Sequence, residues 1–193
     1  MAGRRRYART IEPEILTPAQ FLAAGAQADG THLCVAADPA NGVVWRFRFN
    51  AGSSNAAKWE FVGGSWMEAF LATQFQPGTT VTLSGGPSLT LPLGGDYDME
   101  HGTFIQLPGT ASVTGGIQYL YINGASAAQF IQWYDTGNTV TAPILNQLRR
   151  GRRMAGRAAG EVWDLRHQSL NANGNALFGD RYLRICPVRV IGP

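Results

Sequence analysis

Residues 43–50 read Val-Val-Trp-Arg-Phe-Arg-Phe-Asn. Trp45, Phe47 and Phe49 alternate with Arg46 and Arg48, a period of two that only an extended strand turns into one apolar and one charged face. Such a strand must lay its aromatic face on a second layer, so the chain has to build a sheet packed against something else. Lys58-Trp-Glu-Phe-Val repeats the pattern and reaches Gly63-Gly64, read as a strand end. Short strands are also expected over residues 32–37, 79–83, 88–93, 96–101, 117–122, 161–169 and 180–190. Residues 66–73 suit a strand or a short helix. Asn123-Gly124 predicts a two-residue hairpin turn, with residues 127–134 pairing back. One helical turn is expected at Ala19-Gln-Phe-Leu-Ala-Ala, stopped by Gly25. The expected fold is all-β, an antiparallel β-sandwich or jelly roll over residues 19–193. An extended N-terminal arm over residues 1–18, where Pro13 and Pro18 resist helix and central strand, precedes it. The expected core is Trp45, Phe47, Phe49, Trp59, Phe61, Tyr182, Leu183 and Ile185.

At 193 residues, 45% hydrophobic and 15% charged, the chain suits one ordinary domain and neither a disordered segment nor a charged rod. Its 24 glycines follow no Gly-X-Y period, which excludes collagen. The net charge of +3 is unevenly spread. Arg4, Arg5, Arg6 and Arg9 crowd the start, Arg149, Arg150, Arg152, Arg153 and Arg157 form a second cluster, and the rest is net acidic. No apolar run follows the first arginines, so neither a signal peptide nor a membrane span is expected, and assembly in a cytoplasm is. Tyr7 and Ile11 among those charges, with Glu12 and Glu14 next, give interface composition. The arm is therefore expected to meet protein rather than nucleic acid, through Arg4, Arg5, Arg6, Tyr7 and Arg9. The second cluster is expected to be an exposed basic loop. Arg149, Arg150, Arg152 and Arg153 there suit phosphate, a polyanionic glycan or an acidic protein patch, or remain solvated.

Little in the chain speaks for chemistry. Asp96, Asp98 and Glu100 alternate and so share one strand face, which suits a cation site, a solvated face or a basic partner. His32, His101 and His167 show no metal-ligand spacing, and no Gly-x-Ser-x-Gly elbow occurs. Gly63-Gly64 and Gly115-Gly116 lack the strand-then-helix context of a phosphate cradle. Cys34 and Cys186 read as small buried hydrophobes, with a disulfide as the alternative. No enzyme activity, cofactor or metal is expected.

Three strings resemble a recurring family of tailed-bacteriophage minor structural proteins. They are Gly42-Val-Val-Trp-Arg-Phe-Arg-Phe-Asn with Lys58-Trp-Glu-Phe-Val-Gly-Gly; Ser88-Leu-Thr-Leu-Pro-Leu-Gly-Gly-Asp-Tyr; and Ala176-Leu-Phe-Gly-Asp-Arg-Tyr-Leu-Arg-Ile-Cys-Pro-Val-Arg-Val. In that family Trp-Glu-Phe-Val-Gly-Gly precedes a Leu-Pro-Gly-Asp-Tyr segment, and a Pro-Val-Arg-Val strand closes the domain. The order matches over residues 31–191, although Ser65-Trp66 stands where the family often has proline. The resemblance implies a non-enzymatic virion protein of head, neck or tail, with a jelly-roll or tumour-necrosis-factor-like sandwich and a homotrimeric state. Its implied partners are the major capsid, neck or tail subunits, with the arm cementing the sandwich to the particle. The alternative is a tail-associated receptor-binding protein, in which Trp66, Trp133 and Tyr134 stack on host-surface glycan or simply pack in the core.

Overall fold

The computed structural model describes residues 14–25, 27–77, 86–107, 116–133, 144–169 and 176–192. Among them the fold is nearly all β, in two sheets whose pairs are antiparallel save one. The elements are β1 (Ile15–Leu16), α1 (Pro18–Leu22), β2 (His32–Asp38), β3 (Val43–Phe49), β4 (Trp59–Gly64), β5 (Met67–Leu71), β6 (Ser88–Thr90), β7 (Gly95–Leu107), β8 (Gly116–Ile122), β9 (Ala125–Trp133), β10 (Ile144–Arg157), β11 (Val162–Ser169) and β12 (Leu177–Val190). The larger sheet has eight strands in the order β1-β2-β3-β4-β12-β7-β10, with β5 also on β12. The smaller has four, β6-β11-β8-β9.

The alternation of β3 is realised as expected: Trp45 and Phe47 are fully buried, while Arg46 and Arg48 face solvent. Their aromatic face starts a relay of rings through the core. Phe49 meets Trp59 at 5.1 Å, Trp59 meets Phe21 of α1 at 5.0 Å, and Phe21 meets Phe47 at 5.7 Å. Trp45 then meets Tyr97 of β7 at 6.1 Å, and Tyr97 crosses to Trp163 of the smaller sheet at 6.2 Å. Each ring removes roughly 200 Å² from water, an upper estimate of about 5 kcal/mol apiece. This contact between faces makes the two sheets a sandwich.

The hairpin forms at Asn123-Gly124, where φ is 50° and 81°, the two positive values a type I′ turn needs. α1 is short but well begun. The Thr17 side chain accepts from the Gln20 N–H, the Gln20 side chain accepts from the Thr17 N–H, and Pro18 takes the first turn. Of the residues expected to form an arm, 1–13 lie outside the described residues, while Ile15 and Leu16 pair in parallel with Cys34 and Val35 and belong to the larger sheet. Within residues 66–73 the strand β5 forms over Met67–Leu71.

β4 does end at Gly63-Gly64, with both glycines inside it and Gly64 its last residue. Phe61 lies opposite Phe47 and Gly63 opposite Arg46, leaving Val62 as the extra residue of a bulge. Gly64 has φ 140°, and a Cβ there would run into the Val44 carbonyl oxygen; around Gly63 there is open space. Gly64→Ala is expected to cost at least about 2 kcal/mol and Gly63→Ala under about 0.5, read from urea midpoints. Pro187 is tolerated inside β12 for a related reason. β5 covers residues 181–185 of that edge and β4 only 189–190, so no neighbour there needs the missing N–H.

Two expectations are corrected. Tyr182 is not core: it precedes buried Leu183 in the same strand, and neighbours in a strand point to opposite faces. Cys34 is buried, but Cys186 is only half-buried on the outward face, and both thiols are free. Burial pushes the Cys186 thiol up to about 11, with Asp98 adding to the effect, so it stays protonated at neutral pH. The expected strand over residues 79–83 lies outside the described residues.

Candidate contact surface

Strand pleating turns Asp96, Asp98 and Glu100 to the outward face of β7, between β10 and β12. All three are met by arginines of the same chain. Arg153 Nε donates to Asp98 Oδ1 at 2.8 Å and Nη2 to Oδ2 at 3.0 Å. Arg149 Nη2 and Arg184 Nη2 both donate to Glu100 Oε2, at 2.7 and 2.6 Å. Arg189 Nε lies 3.1 Å from Asp96 Oδ2, while the Gly156 N–H donates to Oδ1 at 2.8 Å. The basic partner weighed for this face is therefore intramolecular, and guanidiniums occupy the space a cation would need. Partial burial alone would raise the Glu100 carboxyl, but the two guanidiniums outweigh it and hold the carboxyl below its usual range. Solvated pairs of this kind add about 0–1 kcal/mol each, so they set side-chain positions more than stability.

That ladder borders an aromatic patch. Arg184 lies 4.9 Å from the Trp66 ring centroid and 5.8 Å from that of Tyr182. Across the β5–β12 pair Phe70 stands opposite Tyr182, with 53% of its surface exposed. Glu68, Phe70, Arg149, Asp180, Tyr182 and Arg184 line a shallow groove of about 440 Å³. Beside it, between β5 and β6, lies a cleft of about 790 Å³ that Trp66 and Phe70 share. One exposed ring, Phe70, and two half-buried ones, Trp66 and Tyr182, set among fixed guanidiniums match the composition of interface cores. Trp66 is thus on the surface rather than in the core. Trp133 ends β9, and Tyr134 lies outside the described residues.

The sequence-predicted residues divide in two. Arg4, Arg5, Arg6, Tyr7 and Arg9 lie outside the described residues. Arg149, Arg150, Arg152 and Arg153 are exposed, but on a strand rather than a loop: β10 pairs with β7 from Ile144 to Arg157. An edge strand is held by backbone bonds on one side and needs no run of apolar side chains, so an Arg-Gly string can form one. Arg149 and Arg153 point outward to Glu100 and Asp98. Arg150 and Arg152 stand opposite buried His101 and Met99, and so occupy the other face.

Sequence reasoning missed a polar chain inside the sandwich. His101 Nδ1 of β7 lies 2.5 Å from Gln118 Oε1 of β8, and Gln118 Nε2 lies 2.9 Å from His167 Nε2 of β11. All three residues are buried. An amide oxygen accepts and an amide nitrogen donates, so His101 donates from Nδ1 and His167 accepts at Nε2, both as neutral rings. Burial pushes His101 down to about 4, opposed by the Gln118 bond and helped by Arg150; burial and nearby Arg181 push His167 down to about 3. Their inward positions in alternating strands were a readable signal. Such rings, sealed between sheets, stitch the layers together.

No family model and no curated protein matches the chain. Solved structures similar to parts of it include dimeric latent PorU from Porphyromonas gingivalis at 13% identity, and an arabinose-bound MgGH51 α-L-arabinofuranosidase and infectious bursal disease virus Gx strain at 14% each. They cover 62%, 73% and 76% of this chain, each with a TM-score of 0.34. The chain spans only 12%, 22% and 43% of their respective lengths. Likenesses this distant carry no argument about function.

Proposed function

We propose that the chain is a non-enzymatic structural protein of a tailed-bacteriophage particle, a β-sandwich that works by contact at head, neck or tail. The observation that carries this reading is the outward face of the larger sheet. There Phe70 stands exposed beside half-buried Trp66 and Tyr182, among arginines paired with the β7 carboxylates. Such a face is prepared for packing against protein. Support for the particle comes from the three sequence strings and their order. A jelly-roll trimer, and anchoring through Arg4, Arg5, Arg6, Tyr7 and Arg9, belong to the same proposal.

A second reading is recognition of host glycan, favoured by the groove in which Phe70 and Tyr182 flank Asp180 and Arg149. Rings stack on sugar faces, while the charged groups bond hydroxyls. Complementation in a phage that carries the chain separates the two readings. Deleting residues 1–13 keeps β1 and the Thr17 cap, and is expected to give folded protein excluded from particles. Phe70→Glu, a surface change worth about 0.5 kcal/mol or less in stability, is expected to lower occupancy as well. Normal occupancy with failed adsorption selects the glycan reading; normal occupancy and normal adsorption in both variants removes both.

A further inference from the structure

We propose that the free edge of β10 is a docking site for an extended peptide segment with carboxylates at alternate positions, added to the sheet as a further strand. The proposal does not depend on the particle reading. β10 ends the larger sheet and pairs only with β7 among the described residues. Its 14 residues present roughly 45 Å of edge, along which alternate N–H and C=O groups point away from β7.

The side chains on that edge are already sorted. Arg149 and Arg153 are engaged with Glu100 and Asp98 on the outward face. Arg150 and Arg152 project from the opposite face, exposed, and form no ion pair among the described residues. Two residues apart on one strand face places them about 7 Å apart, the spacing of carboxylates at i and i+2 on an added strand. β10 already makes this kind of contact on its inner side, where Asp98 lies directly opposite Arg153 and takes both of its donors.

Charge on an edge strand also discourages self-pairing, and lysine would serve that purpose. Arginine adds a planar fork that binds a carboxylate through two donors. The same charges select the occupant. A second copy paired through β10 about Gly151 would set Arg150 against Arg152, like charges facing each other. A neighbour's arm would bring Arg4, Arg5, Arg6 and Arg9 to the same place. An acidic strand avoids both conflicts, and its backbone satisfies the edge in a way that a glycan or nucleic acid cannot.

The test uses the full chain and three probes: a synthetic peptide with glutamate at every second position among valine and threonine, the same composition with its glutamates contiguous, and heparin. The alternating peptide is expected to bind about tenfold more tightly than the contiguous one and to slow amide exchange along residues 144–157. Arg150→Glu with Arg152→Glu is expected to weaken it by about thirtyfold, and the milder Arg150→Gln with Arg152→Gln by about tenfold. Arg46→Glu with Arg48→Glu, on the outward face of β3, is expected to stay within about twofold. Equal binding of all three probes without amide protection would reduce the edge to a general polyanion patch and overturn the proposal. So would unchanged affinity in the glutamine pair, which keeps the strand and removes only the charge.

Discussion

On lowering the pH from 7 to 4.5 the protein is expected to lose roughly 5 kcal/mol of folding stability through His101 and His167. In the unfolded chain each imidazole binds a proton near its ordinary pKa of about 6.5. In the folded state burial holds them near 4 and near 3. The unfolded state therefore binds more protons between those values. The contribution is complete above about pH 6.5, falls progressively as the pH drops from there towards the folded values, and changes no further below them. Every charged neighbour the two rings feel, Arg150 for one and Arg181 for the other, is positive and works in the same direction. The Glu100 and Glu161 carboxyls, held below their usual range by arginines despite partial burial, add a smaller loss at still lower pH. Urea unfolding at half-unit pH steps measures the curve. Replacing both histidines with glutamine should flatten it above pH 4.5, and carbon-13 titration of the native rings should show no protonation above pH 5. A native stability curve flat from pH 7 to 4.5 contradicts a sealed neutral chain between the sheets.

Trp163→Ala is expected to cost about 3–5 kcal/mol, the largest effect of any single truncation in the smaller sheet. The ring is fully buried, touches Tyr97 of the opposite sheet at 6.2 Å, and donates from Nε1 to Glu161 Oε2 at 3.0 Å. Glu161 in turn holds Arg157 at 2.9 Å. Truncation opens a cavity where the two layers meet and removes one donor from a carboxylate that is mostly buried. Trp163→Phe keeps the inter-sheet contact and should recover about half of the loss. Thermal unfolding measures both, with a lower melting temperature and a single cooperative transition expected.

Local alternation carried most of the fold. β3 was legible because Trp45 and Phe47 must be hidden while Arg46 and Arg48 must not, and β11 follows the same logic with Trp163, Leu165 and His167 turned inward. β10 was illegible because an edge strand is defined by its partner's backbone, and nothing in Arg150-Gly-Arg-Arg shows that β7 lies alongside. The candidate surface was half legible. The acidic alternation on β7 and the basic cluster on β10 each stood out, but their pairing spans about fifty residues of chain and appears only when the sheet forms. Tyr182 was misplaced because a hydrophobic string was read as a block, where a strand divides it between two faces.

Immunogold labelling and stoichiometry of purified virus particles, prepared from the cells in which the chain is made, test the proposed virion role most directly. Label at a defined place on head, neck or tail, with a fixed copy number per particle, is the expected result. A chain found only in the infected-cell lysate and missing from washed particles would contradict it.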